Sequence, residues 1–257
     1  MTGAYVDIGG HPTWVDDRGA GDETVVLLHG GMSHSGLLLD GFGGDLARHH
    51  RLVSFDRRGH GRTADIDAPF HYDDMATETI GVLEGVVGGP AHLVGWSDGG
   101  IVSLLVALRR PDLVRRMVVI GTNVHHDALL PFELDESSPV AAAMYEDYAR
   151  LSPDGGEHFG VMFERFLLMA TSEPTMAPDD LAPITAPTLV LAGDRDAIRL
   201  EHTCAIYAAL PAGRLAIVPG ASHAVPLEQP ELVGRLVADF LASPDPPPTL
   251  MPTTATS

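Results

Sequence analysis

The chain contains no lysine. Its 16 basic side chains are all arginine, and 35 aspartates and glutamates leave a formal net charge of −19 at pH 7. A surface this acidic repels polyphosphates and anionic headgroups, which argues against nucleic acid or a membrane as a partner. Cysteine occurs once, at Cys204. An internal disulfide is therefore impossible, and a reducing cytoplasm is the expected setting. Cys204 stands in an apolar, helix-patterned segment and is expected to be a buried thiol. No apolar run reaches the ~18 residues that a membrane-spanning helix needs. Met1-Thr2-Gly3-Ala4-Tyr5 offers neither a basic n-region nor an apolar h-region, so no secretory leader is expected. His49-His50 and His125-His126 lack metal-ligand spacing, and Gly41 to Gly44 does not match a phosphate-binding loop. Neither a metal nor an organic cofactor is expected. The arginine bias, with abundant alanine, glycine and proline, fits a GC-rich bacterial genome.

What is present is a large apolar fraction, 45% of 257 residues, enough for one sizeable core. Tyr5 to Ile8 and Thr13 to Val15 read as a hairpin turning at Gly9-Gly10, followed by a polar loop from Asp17 to Asp22. Short β-prone runs follow: Thr24 to Leu28, Leu52 to Phe55, Ala91 to Trp96, Met117 to Ile120, Thr188 to Ala192 and Leu215 to Val218. Apolar on consecutive residues, they fit strands covered on both faces. Helical spacing falls between them, at 36–48, 72–87, 101–110, 198–210 and 231–241. This alternation implies right-handed βαβ units and a mainly parallel sheet with helices on both faces. The rhythm breaks from Val124 to Ala186, where two helices, at 140–151 and 157–170, are expected and no strand. Such an insertion would lie above the strand ends, where open α/β sheets bind ligands. Ser243 to Ser257, with five prolines, is expected to be a disordered tail.

Gly95-Trp96-Ser97-Asp98-Gly99 fits G-x-S-x-G between an apolar strand and a helix. That pattern places a serine on a strained strand-to-helix turn with its hydroxyl projecting above the sheet. A serine needs a base, and His223 lies just beyond the last strand, in Pro219-Gly220-Ala221-Ser222-His223. The base needs an acid to fix its tautomer. Gly193-Asp194-Arg195-Asp196 places two aspartates past a strand. Asp196, deeper in the loop, is favoured, while Asp194 is expected to bond turn amides or Arg195. An oxyanion needs two N–H donors. The Asp98 amide is one. The other is expected at Gly31 in His29-Gly30-Gly31-Met32, with Met32 the neighbouring alternative.

Taken together, HGG at 29–31, DRRGHGRT at 56–63, GWSDGG at 95–100, GDRD at 193–196 and GASH at 220–223 resemble the α/β-hydrolase family from Tyr5 to Leu241. The resemblance implies an α/β-hydrolase fold, with a mostly parallel central sheet, helices on both faces and a small helical cap. Core residues would be 1–123 and 187–242, and the cap 124–186. It also implies Asp196 as the acid, on the last residue of G-x-x-D, and a structural role for Asp56, Arg58, Gly59 and Gly61. GWSDGG, the Arg-Pro-Asp-Leu-Val-Arg-Arg segment and the short cap are loosely similar to biphenyl-hydrolase-like esterases. The meta-cleavage C–C hydrolases usually carry HGGGPG where this chain has HGGMSHS. Epoxide hydrolases and haloalkane dehalogenases place an aspartate where this chain has Ser97.

The expected activity is therefore serine hydrolysis of a carboxylic ester, thioester or lactone. Alternatives are a C–C hydrolase, cyclase or acyltransferase on the same triad, and lastly a non-catalytic binder. The partner is a small molecule with an apolar portion. Candidate substrate-binding residues are Trp96, Asp98, Met144, Tyr148 and Phe163. For Trp96, packing beneath the elbow is favoured over substrate contact, and for Asp98, stabilising its helix start is an equal reading.

Overall fold

The computed structural model describes residues 3–130 and 139–251. Eight strands make one sheet: β1 (Gly3–Ile8), β2 (His11–Arg18), β3 (Thr24–Leu28), β4 (Arg51–Phe55), β5 (Ala91–Trp96), β6 (Val114–Ile120), β7 (Thr188–Arg195) and β8 (Gly213–Ser222). Their spatial order is β1-β2-β4-β3-β5-β6-β7-β8. β1 and β2 pair antiparallel, as do β2 and β4, and every later pairing is parallel. The α-helices are α1 (Ser35–Leu38), α2 (Gly44–Leu46), α3 (Tyr72–Val82), α4 (Asp98–Arg109), α5 (Pro139–Leu151), α6 (Phe159–Ala170), α7 (Leu200–Ala209), α8 (Val225–Glu228) and α9 (Pro230–Ala242).

Two apolar cores, one on each face of the sheet, explain the continuous runs. Successive strand side chains point to opposite faces. Val26 and Leu28 of β3 pack with residues of α3 and α4, whereas Val25 and Leu27 pack with Phe42, Val233, Val237 and Phe240. Covered on both sides, the central strands are apolar over most of their length, so little polar alternation survives in their sequences.

Element ends differ from the expected ones. β2 continues to Arg18, through residues read as loop, because Asp16, Asp17 and Arg18 pair with β4. β7 continues through Gly193-Asp194-Arg195, and β8 through Pro219 to Ser222. Pairing carries them: Arg195 lies opposite Ser222, and a Cβ on Gly193 would overlap the Ala221 carbonyl. Asp194 therefore lies inside a strand, not beyond one, and accepts the Gly220 N–H at 2.7 Å. The helix expected at 36–48 is broken by a π-helical segment, Leu39–Gly43, where glycines weaken α-helical pairing. The helix expected at 72–87 changes to π geometry over Leu83–Val87. Cys204 is exposed, not buried, because α7 turns Thr203 and Ile206 inward instead.

Between β6 and β7 the described residues contain α5, α6 and short 3-10 turns but no strand. Isolated bridges, His125–Thr175 and Leu129–Ile198, tie this insertion down at its ends. α6 is anchored by Asp65, whose side chain is 2% exposed. The Asp65 carboxylate meets His158 Nε2 at 3.0 Å and Arg165, and its N–H donates to Asp154 at 2.7 Å. Of the expected tail, residues 252–257 lie outside the described ones. Its start is tethered, since Arg214 donates to the Pro244 carbonyl at 2.8 Å.

Candidate active site

β5 ends at Trp96 and α4 begins at Asp98, so the chain reverses around Ser97 alone. Ser97 has φ 54° and ψ −118°, a conformation costing on the order of 1–3 kcal/mol for a residue with a side chain. Neighbouring bonds hold it there. The Ser97 N–H donates to the Ile120 carbonyl at 2.8 Å, and the Ser97 carbonyl accepts from Gly100 at 2.8 Å. A Cβ on Gly99 would overlap the Leu28 carbonyl, and one on Gly95 would overlap Gly99. Glycine at both places lets strand and helix close on each other.

The loops after β7 and β8 bring two groups to Ser97. His223 Nε2 lies 2.9 Å from Ser97 Oγ, and His223 Nδ1 lies 2.7 Å from Asp196 Oδ1. A carboxylate only accepts, so Nδ1 carries the ring proton and Nε2 presents a lone pair to the serine hydroxyl. Asp196 Oδ1 also accepts the Ile198 N–H at 3.0 Å, which fixes the carboxylate. The Trp96 indole N–H donates to the His223 carbonyl at 2.9 Å, steadying the histidine from below.

A cavity of about 260 Å³ opens on Ser97 and His223. Gly30, Gly31 and Met32 form one wall. Gly31 is crowded: a Cβ there would strike Phe166 of α6 and lie 2.6 Å from Asp98 Oδ2. Met32 has φ 56°, so the loop is strained immediately after the glycines. Asp98 opens α4, and the leading amides of a helix have no acceptor within it.

Asp98 is 4% exposed and borders the cavity. Oδ1 accepts the Tyr72 hydroxyl at 2.9 Å, and Oδ2 has no partner. Burial raises the Asp98 carboxyl above its ordinary range, and the Arg57 charge pulls the other way. Burial and the Asp98 charge push the Tyr72 hydroxyl well up, so it remains a proton donor. Glu173 borders the same cavity and accepts the Tyr72 N–H at 3.2 Å.

Of the sequence-derived binding candidates, Trp96, Asp98 and Met144 border the cavity. Tyr148 instead lines a much smaller neighbouring cleft. Phe163 packs against the core and stacks on Phe159 at 6.0 Å. Helical spacing could not separate the inward face of α5 and α6 from the cavity face. Tyr72, Glu173, Asn123 and Leu129 were missed. No local motif marks them; only the meeting of three distant segments does. Asp56 sits where the DRRGHGRT motif suggested, accepting the Ser35 and Arg62 amides at 2.8 Å each. The imidazoles of His125 and His126 stack at 4.6 Å, and with Asp127 their donor atoms lie within 4.8 Å of one another. A short 3-10 turn brings them together although the sequence spacing does not suggest a metal site; they do not line the cavity.

Comparison with known proteins gives a consistent picture. RutD of Variovorax paradoxus (strain S110), assigned as a carbamate hydrolase, is 30% identical over 257 residues, spanning 90% of this chain and 96% of that protein. The Homo sapiens serine hydrolase BPHL is 24% identical, spanning 94% of this chain and 87% of that one. In fold, the chain is similar to the meta-cleavage product hydrolase CumD from Pseudomonas fluorescens IP01. The TM-score is 0.79 at 20% identity, covering 93% of this chain and 97% of CumD. A family model described as the Alpha/beta hydrolase family matches residues 25–236, from β3 into α9. This chain belongs to the alpha/beta hydrolase family.

Proposed function

We propose that this hydrolase is a serine enzyme cleaving a carboxylic ester, thioester or lactone through an acyl-enzyme on Ser97. One observation carries the reading: the unbroken chain of contacts from Ser97 Oγ through His223 to Asp196 at the mouth of an apolar cavity. Ser97 Oγ attacks the carbonyl carbon while His223 Nε2 takes its proton. The carbonyl electron pair moves onto oxygen, facing the Asp98 and Gly31 amides. Collapse expels the alcohol or thiol, which takes the proton back from His223. Water then repeats the sequence and frees the acid. Asp196 stabilises the imidazolium throughout and is not itself protonated. Residues 124–186 act as the cap over residues 1–123 and 187–242. No cofactor is needed, and the substrate is a small molecule rather than nucleic acid or a lipid surface. A cytoplasmic setting fits the lone cysteine.

Small p-nitrophenyl esters test the reading. Wild type should hydrolyse them and take up a fluorophosphonate on Ser97, and Ser97→Ala should do neither. Absence of both from wild type would sink the proposal.

Asp98 supports a preference within this class. Asp98 lines the cavity, its buried Oδ2 has no partner, and the lining includes no arginine. A buried carboxylate oxygen without a donor favours a substrate that brings one, an ammonium or a hydroxyl. Asp98→Asn should lower kcat/KM for amine-bearing esters far more than for neutral ones. An equal change for both removes this preference.

A further inference from the structure

Behind the glycine loop sits a guanidinium that the hydrolytic scheme does not use. Arg57 follows β4 and is 1% exposed. One of its terminal NH2 groups donates to the Gly30 carbonyl at 3.1 Å. The same carbonyl accepts the Ser33 hydroxyl at 3.0 Å and faces His29 Nδ1 at 2.7 Å. The His29 tautomer follows from its other nitrogen. The Arg57 backbone N–H donates to His29 Nε2 at 3.1 Å, so Nε2 holds the lone pair and Nδ1 the proton. Burial, and then the Arg57 charge, hold His29 well below its ordinary range, so the ring stays neutral. Three donors therefore converge on one carbonyl.

The Gly30–Gly31 bond is trans. In a trans peptide the carbonyl and the following N–H share a plane and point opposite ways. Fixing the Gly30 carbonyl toward Arg57 turns the Gly31 N–H the other way. Gly31 borders the cavity, and among the described residues no protein acceptor takes its N–H. A peptide between two glycines has the fewest steric barriers to flipping, so its orientation must be imposed from outside. Packing alone does not call for a cation here, since a methionine of similar length would fill the space without the cost of burying a charge. The Asp98, Glu78 and Asp56 carboxylates around the guanidinium offset that cost.

We propose that Arg57, with His29 and Ser33, is a positioning residue that locks the Gly30–Gly31 peptide with its N–H turned into the cavity, ready for the oxyanion. This rests on the serine-hydrolase reading above. The test compares wild type, Arg57→Met, Arg57→Lys and Ser33→Ala on p-nitrophenyl acetate. A trifluoromethyl ketone serves as inhibitor, because its adduct with Ser97 carries the oxyanion and ground-state binding does not. Arg57→Met should lower kcat about 10- to 100-fold with KM within about twofold, and weaken the ketone by the same factor. Arg57→Lys should recover part of that loss, and Ser33→Ala should lose about three- to tenfold. Wild-type kcat in folded Arg57→Met and Ser33→Ala overturns the proposal. So does a fall in kcat without weaker ketone binding, which marks a merely structural role. Should Arg57→Met fail to fold, Ser33→Ala decides by the same two readouts. A wild type that labels at Ser97 while the variants match it defeats only this inference. A wild type that neither labels nor hydrolyses defeats both.

Discussion

Ser97 at φ 54° and Asp98 with a bare Oδ2 are both held in states that an isolated residue would leave. The strain at Ser97 is sustained by the bonds from Ile120 and Gly100 that surround it. The unpartnered buried oxygen at Asp98 is sustained by the Tyr72 hydroxyl on its twin and by the Arg57 charge behind it. Asp196 has a plainer task, and its removal separates orientation from shape. Asp196→Asn keeps the size of the side chain but can turn a donor toward His223, favouring the wrong tautomer. We expect kcat on p-nitrophenyl acetate to fall by about four orders of magnitude with little change in KM. Asp194→Asn, whose carboxylate meets the Gly220 amide 2.7 Å away, should stay near wild type in the same assay.

At the scale of elements, α6 connects the cavity with its anchor. Its Phe166 abuts Gly31, and its Arg165 binds Asp65 and Asp67. The Asp65 carboxylate is buried and serves Arg165, His158 and Arg58 together. Removing it strands their donors in a poorly solvated place. Asp65→Ala should lower unfolding stability by about 3 kcal/mol, read from urea midpoints. Because Phe166 and Ala170 of α6 line the cavity, the same variant should raise KM for long-chain esters more than for acetate. The β7 and β8 extensions belong to this scale as well. Gly193-Asp194-Arg195 is polar and glycine-containing, so its sequence reads as loop. It is strand because β8 offers partners at that height.

At the scale of the whole molecule, the −19 charge leaves few cations to spare for the interior. The cation that is buried, Arg57, shapes the titration of its neighbours. Burial, and then the Arg57 charge, hold His60 down at about 4. The folded state therefore excludes a proton that the unfolded chain accepts near pH 6.5. The corresponding stability is fully present above pH 6.5 and is lost as pH falls toward 4, a contribution on the order of 3 kcal/mol. Glu78 works the other way. Burial raises it to about 7, so its share of stability is lost as pH rises from the ordinary glutamate range to about 7. His60→Asn, which can keep the bond to the Arg58 carbonyl, should flatten the acid side of the profile relative to wild type. Thermal midpoints of both proteins between pH 7 and pH 4 measure this, and parallel profiles would contradict it.

The five motifs were legible because each constrains the backbone within a few residues. An apolar run of five makes a strand, Gly-x-Ser-x-Gly makes a sharp turn, and a short loop after a strand puts its aspartate or histidine at one sheet edge. Sequence alone therefore determined the alternating α/β architecture, the family and the order Ser97, Asp196, His223. Only the tertiary structure decided that these three side chains meet, that Tyr148 and Phe163 turn away, and that Tyr72 and Glu173 border the cavity. It also decided that Arg57, one of two adjacent arginines, is the buried one, while Arg58 reaches out to the Ala68 and Pro69 carbonyls. The physical reason is the same in each case. Burial, charge compensation and cavity lining depend on which remote segments arrive at a point, and sheet pairing and core packing settle that, not any local window of sequence.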